Sequence, residues 1–137
     1  MEGTKRVRVN ALAEGAPYIT RVTARQHTLM VDEPPEDGGG DTAPKPHELL
    51  CAALASCTAI TIRMYAARKQ WPLQAVTVAV TMDRTSAAGQ VETALQMDLS
   101  FEGDLDQAQR ERLQQIAKAC PVHRTLESPI HITTGLA

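Results

Sequence analysis

The run from Pro46 to Lys69 constrains the fold more than any other part of the chain. For about 14 residues after Glu48 it carries no charge and is rich in Ala and Leu, and Leu50, Leu54, Cys57, Thr61 and Met64 recur at steps of three and four. That spacing predicts a helix, and the uncharged length predicts burial over most of its surface. Pro46 suits the first helical position, where an absent amide donor loses no bond, and Glu48 in the first turn complements the positive end of the helix dipole. Arg63, Arg68 and Lys69 suit the far end and Trp71-Pro72 stops it, which gives a central helix of roughly six turns. The rest of the chain must wrap around it.

Ahead of the helix, Arg6-Val7-Arg8-Val9-Asn10 alternates and predicts a strand. Residues 18–24 and 27–31, rich in β-branched side chains and separated by a short turn near Arg25-Gln26, predict two more, together an antiparallel meander. Residues 32–44 predict a polar loop of about a dozen residues, either a connector or a flap over a site beside Glu48. Its glycines are no phosphate loop, because no Gly-Lys-Ser/Thr follows them and acidic residues on both sides would repel phosphate.

Beyond the helix, Val76, Val78, Val80 and Met82 share one strand face and Thr77, Ala79 and Thr81 the other. Ser86-Ala87-Ala88-Gly89 turns the chain, and Leu95, Met97, Leu99 and Phe101 repeat the alternation, predicting a β-hairpin with one buried face. Asp104-Leu105-Asp106-Gln107 resembles an N-cap with a Gln three residues on and opens a second helix. On it Leu113, Ile116, Ala117 and Cys120 lie at i, i+3, i+4 and i+7, so Cys120 projects toward the core. Pro121 biases Cys120 away from helical geometry and starts a short turn through Leu126, and Ile130-His131-Ile132-Thr133 predicts a last strand. Strands, central helix, hairpin, helix and strand make an α+β fold.

With 137 residues the chain is expected to form one domain. Aromatic residues are only 3%, so the core must be built from Val, Ile, Leu, Met and Ala, and burial in a dimer is expected to supplement it. A net charge of −2 and dispersed Lys and Arg give no electrostatic reason to expect nucleic acid. The N-terminus shows no apolar signal region, and no uncharged span reaches the roughly 18 residues of a membrane helix, so a cytoplasmic protein without a membrane partner is expected. Three cysteines are too few for a secreted disulfide scaffold and fit a reducing compartment with transient thiol chemistry.

Cys57 sits about midway along the central helix, where a lone thiol is ordinarily inert packing. It is too far from the helix start to feel the dipole, and burial raises a thiol pKa, so as a nucleophile it needs a cation from elsewhere. Cys120, before a possible new helix and near His123 and Arg124, has the better local case for a lowered pKa. Cys51 lies six residues before Cys57, about 240° around the helix, so it cannot converge with it and reads as packing. Glu48 by itself reads as dipole capping, and His27, His47 and His131 carry no motif.

Pro46-His47-Glu48-Leu49-Leu50, then Ala55-Ser56-Cys57-Thr58 on the same helix, then Cys120-Pro121-Val122-His123, resemble the OsmC/Ohr family of thiol-dependent peroxidases, and the order of elements from about residue 5 to 136 fits. The resemblance implies a single OsmC-like domain over residues 1–137, with antiparallel sheets packed around a long central helix in an intertwined homodimer. It also implies reduction of a hydroperoxide without metal, flavin or other cofactor, and regeneration by a small dithiol or lipoyl-type reductant, and the apolar surroundings of the cysteines suggest organic over inorganic hydroperoxides. It assigns attack to Cys57 and resolution to Cys120, with Glu48 orienting an arginine that stabilises the thiolate. Arg21 and Arg25 are the candidates, and Arg21 is favoured because it lies within a predicted strand and can point inward. Lys45 departs from the small polar cap the family often carries before the proline. Three other readings use the same residues: a zinc site from Cys57, Cys120 and His123, a dimeric binding module with inert thiols, and a Cys-His-Glu acyl-transfer site with His123 within reach of Cys57.

Overall fold

The structure, a computed structural model, describes residues 3–137. It divides into two compact units, one up to Leu50 and one from Cys51 onward.

In the N-terminal unit three strands, β1 (Asn10–Ala13), β2 (Thr20–Ala24) and β3 (His27–Val31), pair antiparallel in the order β1-β2-β3. The first strand lies later than the alternation of residues 6–10 predicts. Asn10 pairs with Thr23, and β2 ends one residue further on at Ala24, so residues 6–9 have no ladder to join. The loop after β3 is neither slack nor extended. Asp32 is enclosed, and its carboxylate accepts from the Glu33 and Thr42 amides (2.8 and 3.0 Å) and the Thr42 hydroxyl (2.7 Å), closing the loop on itself around a 3-10 turn at Pro35–Asp37. Gly39 is required there, since a Cβ would lie 2.0 Å from the Glu33 carbonyl oxygen.

Helix α1 (Pro46–Lys69) has the ends its sequence predicts. Its burial differs. Leu54, Thr58, Ile62 and Ala66, at steps of four, are the buried residues, whereas Leu50, Ile60 and Met64 are 39%, 54% and 59% exposed. A helix apolar all round does not reveal by periodicity which face its own chain covers. By length and composition α1 is long and apolar enough to cross a membrane, although its uncharged run is shorter, because average hydropathy carries across the single charge of Arg63. A core helix meets the same criterion, and Ile62 and Ala66 here join a packed cluster with Leu105, Leu113 and Ala117.

The hairpin that follows, β4 (Leu73–Ala87) and β5 (Gln90–Gly103), pairs from Leu73 with Gly103 to Ala87 with Gln90, around the turn residues Ala88 and Gly89, both at positive φ. Such a two-residue turn matches the twist of the strands it joins. Val76, Met97, Leu99 and Phe101 pack from its inner face on the cluster. Helix α2 (Gln107–Ile116) starts two residues later than predicted: Asp106 is the N-cap, and its side chain and that of Gln109 each bond the other's backbone amide. Starting there leaves Leu105 free to enter the core, where it is 8% exposed. A 3-10 turn at Ala117–Ala119 then delivers Cys120 to the start of α3 (Pro121–Leu126). The last strand is absent: residues 130–133 have no ladder partner among the described residues, and Ile130 and Ile132 are exposed. The fold is α+β, with antiparallel sheets and one long helix.

Candidate dithiol site

Cys57 lies on the flank of the α1 stripe that carries Leu54 and Thr58 inward, and keeps partial exposure. Cys120 is reached by the other route. The stripe Leu113, Ala117, Cys120 stays on the buried side through the 3-10 turn, and the sulfur has no exposed surface. The two thiols face each other closely enough that each biases the other's proton. Cys51, half-buried, stands apart from the pair as the helical geometry predicts.

The pair is asymmetric. Burial pushes the Cys57 thiol up, and donating toward Cys120 pushes it further, against the opposing Val122 amide and Thr61 hydroxyl. Burial also pushes Cys120 up, but Cys57, the His123 amide, the Thr58 hydroxyl and the Val122 amide together outweigh it, so this thiol lies below its ordinary range. The Cys57 side chain lowers it most, and local backbone comes next: Cys120 is the N-cap of α3, and its sulfur accepts from the His123 N–H at 3.4 Å. Amides in the first turn of a helix have no partner inside it and favour an anion. The local part of this bias comes through the amide of His123.

The imidazole points elsewhere. Its Nε2 lies 3.2 Å from Glu127 Oε1, and its Nδ1 is buried with no hydrogen-bond partner. An acyl-transfer site needs this ring on Cys57, and it is turned to Glu127 instead. Among the described residues no group of three or more His, Cys, Asp or Glu could hold a metal ion, so Cys57, Cys120 and His123 do not assemble the alternative zinc site. An open cleft of about 240 Å³, lined by Leu54, Leu95, Met97, Leu126 and His123 among others, lies one helical turn from Cys57 along α1. A second, of about 330 Å³, shares Met97 and His123.

In the N-terminal unit, Glu48 is exposed and reaches back to accept from the Lys45 amide at 2.9 Å, which is a capping contact of the α1 start. Arg21 sits in β2 opposite Leu12 and Met30 and is exposed, where the strand reading expects it to turn inward. Glu48 and Arg21 make no ion pair or hydrogen bond with each other among the described residues. Arg25 occupies the β2–β3 turn with φ 54°. The residues that sequence reasoning passes over are Thr58 and Val122, both beside the sulfurs. The available signal for Thr58 was a hydroxyl set in an apolar stripe at i+4 from Leu54 and i−4 from Ile62.

Fold and site together define an α+β protein with a dithiol that joins the middle of a long helix to the residue before a short one. The chain belongs to the OsmC-like family: residues 38–135 match the family model described as OsmC-like protein. No curated protein matches it. Among solved structures, an OsmC-like protein from Mycoplasma pneumoniae superposes with a TM-score of 0.76 at 19% identity, covering 90% of this chain and 88% of that one. An organic hydroperoxide resistance protein OsmC from Legionella pneumophila gives 0.69 at 21%, covering 91% of each chain. An organic hydroperoxide resistance protein from Elizabethkingia anophelis gives 0.68 at 14%, covering 91% and 90%. At these identities the likeness carries the fold.

Proposed function

We propose that this chain is a thiol-dependent hydroperoxide reductase whose working parts are Cys57 and Cys120. The observation that carries the reading is the approach of these two thiols, near enough that each biases the other's proton. Cys57, the more accessible of the two, attacks the terminal peroxide oxygen as a thiolate. The O–O bond breaks, the alkoxide leaves and takes a proton to become an alcohol, and Cys57 holds a sulfenic acid. The Cys120 thiolate then forms the S–S bond, and the sulfenic oxygen leaves as water. A dithiol of small-molecule or lipoyl type returns the pair to thiols by exchange.

The split in the thiols fits a division of labour: accessibility selects Cys57 for the peroxide, and the α3 amides keep Cys120 ready as the second nucleophile. Cys57, pushed up by burial, needs a cation, and Arg21 oriented by Glu48 is proposed for it on the strength of the family motif. Organic hydroperoxides are proposed over inorganic ones on the strength of Leu54, Leu95, Met97 and Leu126 in a cleft that Thr93, His123 and Glu127 also line. We further propose one OsmC-like domain over residues 1–137 that works as a homodimer. Its support is the family match together with the apolar α1 residues that the single chain leaves exposed. A thiol pair that must be reduced after every turnover suits the cytoplasm.

The test is consumption of an alkyl hydroperoxide in the presence of a dithiol reductant. The wild-type protein is expected to consume it and Cys57→Ser is expected not to. A wild type without turnover, or an active Cys57→Ser variant, overturns the reading.

A further inference from the structure

Met97, on β5, is half-buried and lines both open clefts, the one of about 240 Å³ and the one of about 330 Å³. Its sulfur also takes a hydrogen bond from within the protein: the Thr58 hydroxyl on α1, which has no exposed surface, donates to Met97 Sδ at 3.5 Å. A thioether sulfur is a weak acceptor with two lone pairs. Thr58 occupies one of them and leaves the other for the clefts. The two lone pairs of Met97 therefore differ, whereas those of Met64, 59% exposed, are both open to solvent. The difference has a chemical consequence, because oxidation makes a methionine sulfur a stereocentre and each lone pair gives one of two sulfoxide epimers.

We propose that Met97 is a site of reversible, stereoselective oxidation by a hydroperoxide, in which the Thr58 hydroxyl covers one lone pair of the sulfur and the clefts admit the oxidant to the other. Met97 Sδ supplies the electron pair to the terminal peroxide oxygen and the S–O bond forms. The O–O bond breaks, and the alkoxide takes the proton of the hydroperoxide and leaves as an alcohol. The sulfur is oxidised by two electrons and the peroxide is reduced by two. Thr58 keeps its own proton throughout. The product carries a polar oxygen in the wall of both clefts, where the thioether was apolar. A thiol-dependent methionine sulfoxide reductase reverses the change: two thiols become a disulfide and the oxygen leaves as water. Neither Cys57 nor Cys120 has to react, so the inference stands apart from the two-thiol reading.

The experiment gives folded wild-type protein and Cys57→Ser an excess of alkyl hydroperoxide, digests them, and treats the peptides separately with the two sulfoxide reductases, each specific for one epimer. The Met97 sulfoxide is expected to be reduced about fivefold more by one enzyme than by the other, the size of one hydrogen bond, and the Met64 sulfoxide about equally by both. Protein oxidised in urea is expected to give equal epimers at Met97, because the excess comes from the fold. Thr58→Val, which keeps the shape and deletes the hydroxyl, is expected to remove the excess, and Thr58→Ser to retain it, so a poorly folded Thr58→Val does not leave the matter open. Met97 left as a thioether while Met64 is oxidised, equal epimers at Met97 in the folded protein, or an excess that survives in Thr58→Val overturns the proposal. The same epimer excess is expected in Cys57→Ser, so failure of the peroxidase reading and failure of this one are told apart.

Discussion

Cys57 and Cys120 are sixty-three residues apart in sequence and face one another with opposite biases, Cys57 held toward the thiol and Cys120 toward the thiolate. Burial raises both thiols, but the interaction between the two sulfurs raises Cys57 and lowers Cys120. Cys120, directly before the helix that Pro121 opens, also has the His123 amide, while the Val122 amide acts on both. Proton loss then belongs to the pair, and its apparent pKa values are not those of either residue alone.

Removing the second sulfur is expected to trap the first intermediate. In Cys120→Ser, one equivalent of alkyl hydroperoxide is expected to leave a single added oxygen on Cys57, captured by a cyclic dione and located by mass spectrometry, with excess peroxide driving it to the sulfinic acid. An adduct on Cys51, or none, contradicts the assignment of roles.

The exposed α1 face gives a test of assembly. Ile60 and Met64 are apolar and open in the single chain. Placing aspartates at both positions is expected to weaken a homodimer about a hundredfold or more, because each carboxylate would have to be stripped of water in the contact. Sedimentation is expected to show a monomer with an unchanged far-UV spectrum, and a wild type that already sediments as a monomer removes the dimer from the account.

Core and surface substitutions should separate cleanly. Leu113 has no exposed surface and sits among Ile62, Ala66, Leu105 and Ala117, so Leu113→Ala is expected to cost about 2–5 kcal/mol in chemical denaturation. Leu136 is fully exposed, and Leu136→Ala is expected to stay within about 0.5 kcal/mol of wild type.

The clasp at Asp32 sets an acid limit on the loop. The Thr42 amide, the Thr42 hydroxyl and the Glu33 amide hold its carboxyl below the ordinary carboxylate range. A folded value below the unfolded one means that the contribution is fully present above the unfolded pKa and is lost as pH falls through the folded value. Hydrogen exchange at the Thr42 amide is expected to accelerate through that acid range in wild type, and in Asp32→Asn to be fast at all pH values without the transition.

Much of this architecture is legible in the residues because local signals coincide. Pro46 and Trp71-Pro72 bracket α1, and the period-two alternation of Val76–Val80 and Leu95–Phe101 fixes the hairpin face. Elsewhere the signals are degenerate. Asp104 and Asp106 each have a Gln three residues on, and only the burial of Leu105 selects the second. Alternation predicts strands at residues 6–10 and 130–133, but a strand exists only where a neighbour supplies its hydrogen bonds. The face of α1 that meets the chain's own core is equally hidden, since hydropathy reports that a side chain prefers burial and not what buries it. At the site, the resemblance carried by the two cysteine motifs points to the two sulfurs, whereas the Val122 and His123 amides act through position and carry no motif of their own.

The most direct measurement gives the fully reduced protein one equivalent of an alkyl hydroperoxide and maps every thiol by mass spectrometry of peptides. The expected product is an intramolecular disulfide between Cys57 and Cys120, with Cys51 still a free thiol and one alcohol formed per disulfide. Unmodified thiols, or a disulfide that includes Cys51 in place of either partner, contradict the account.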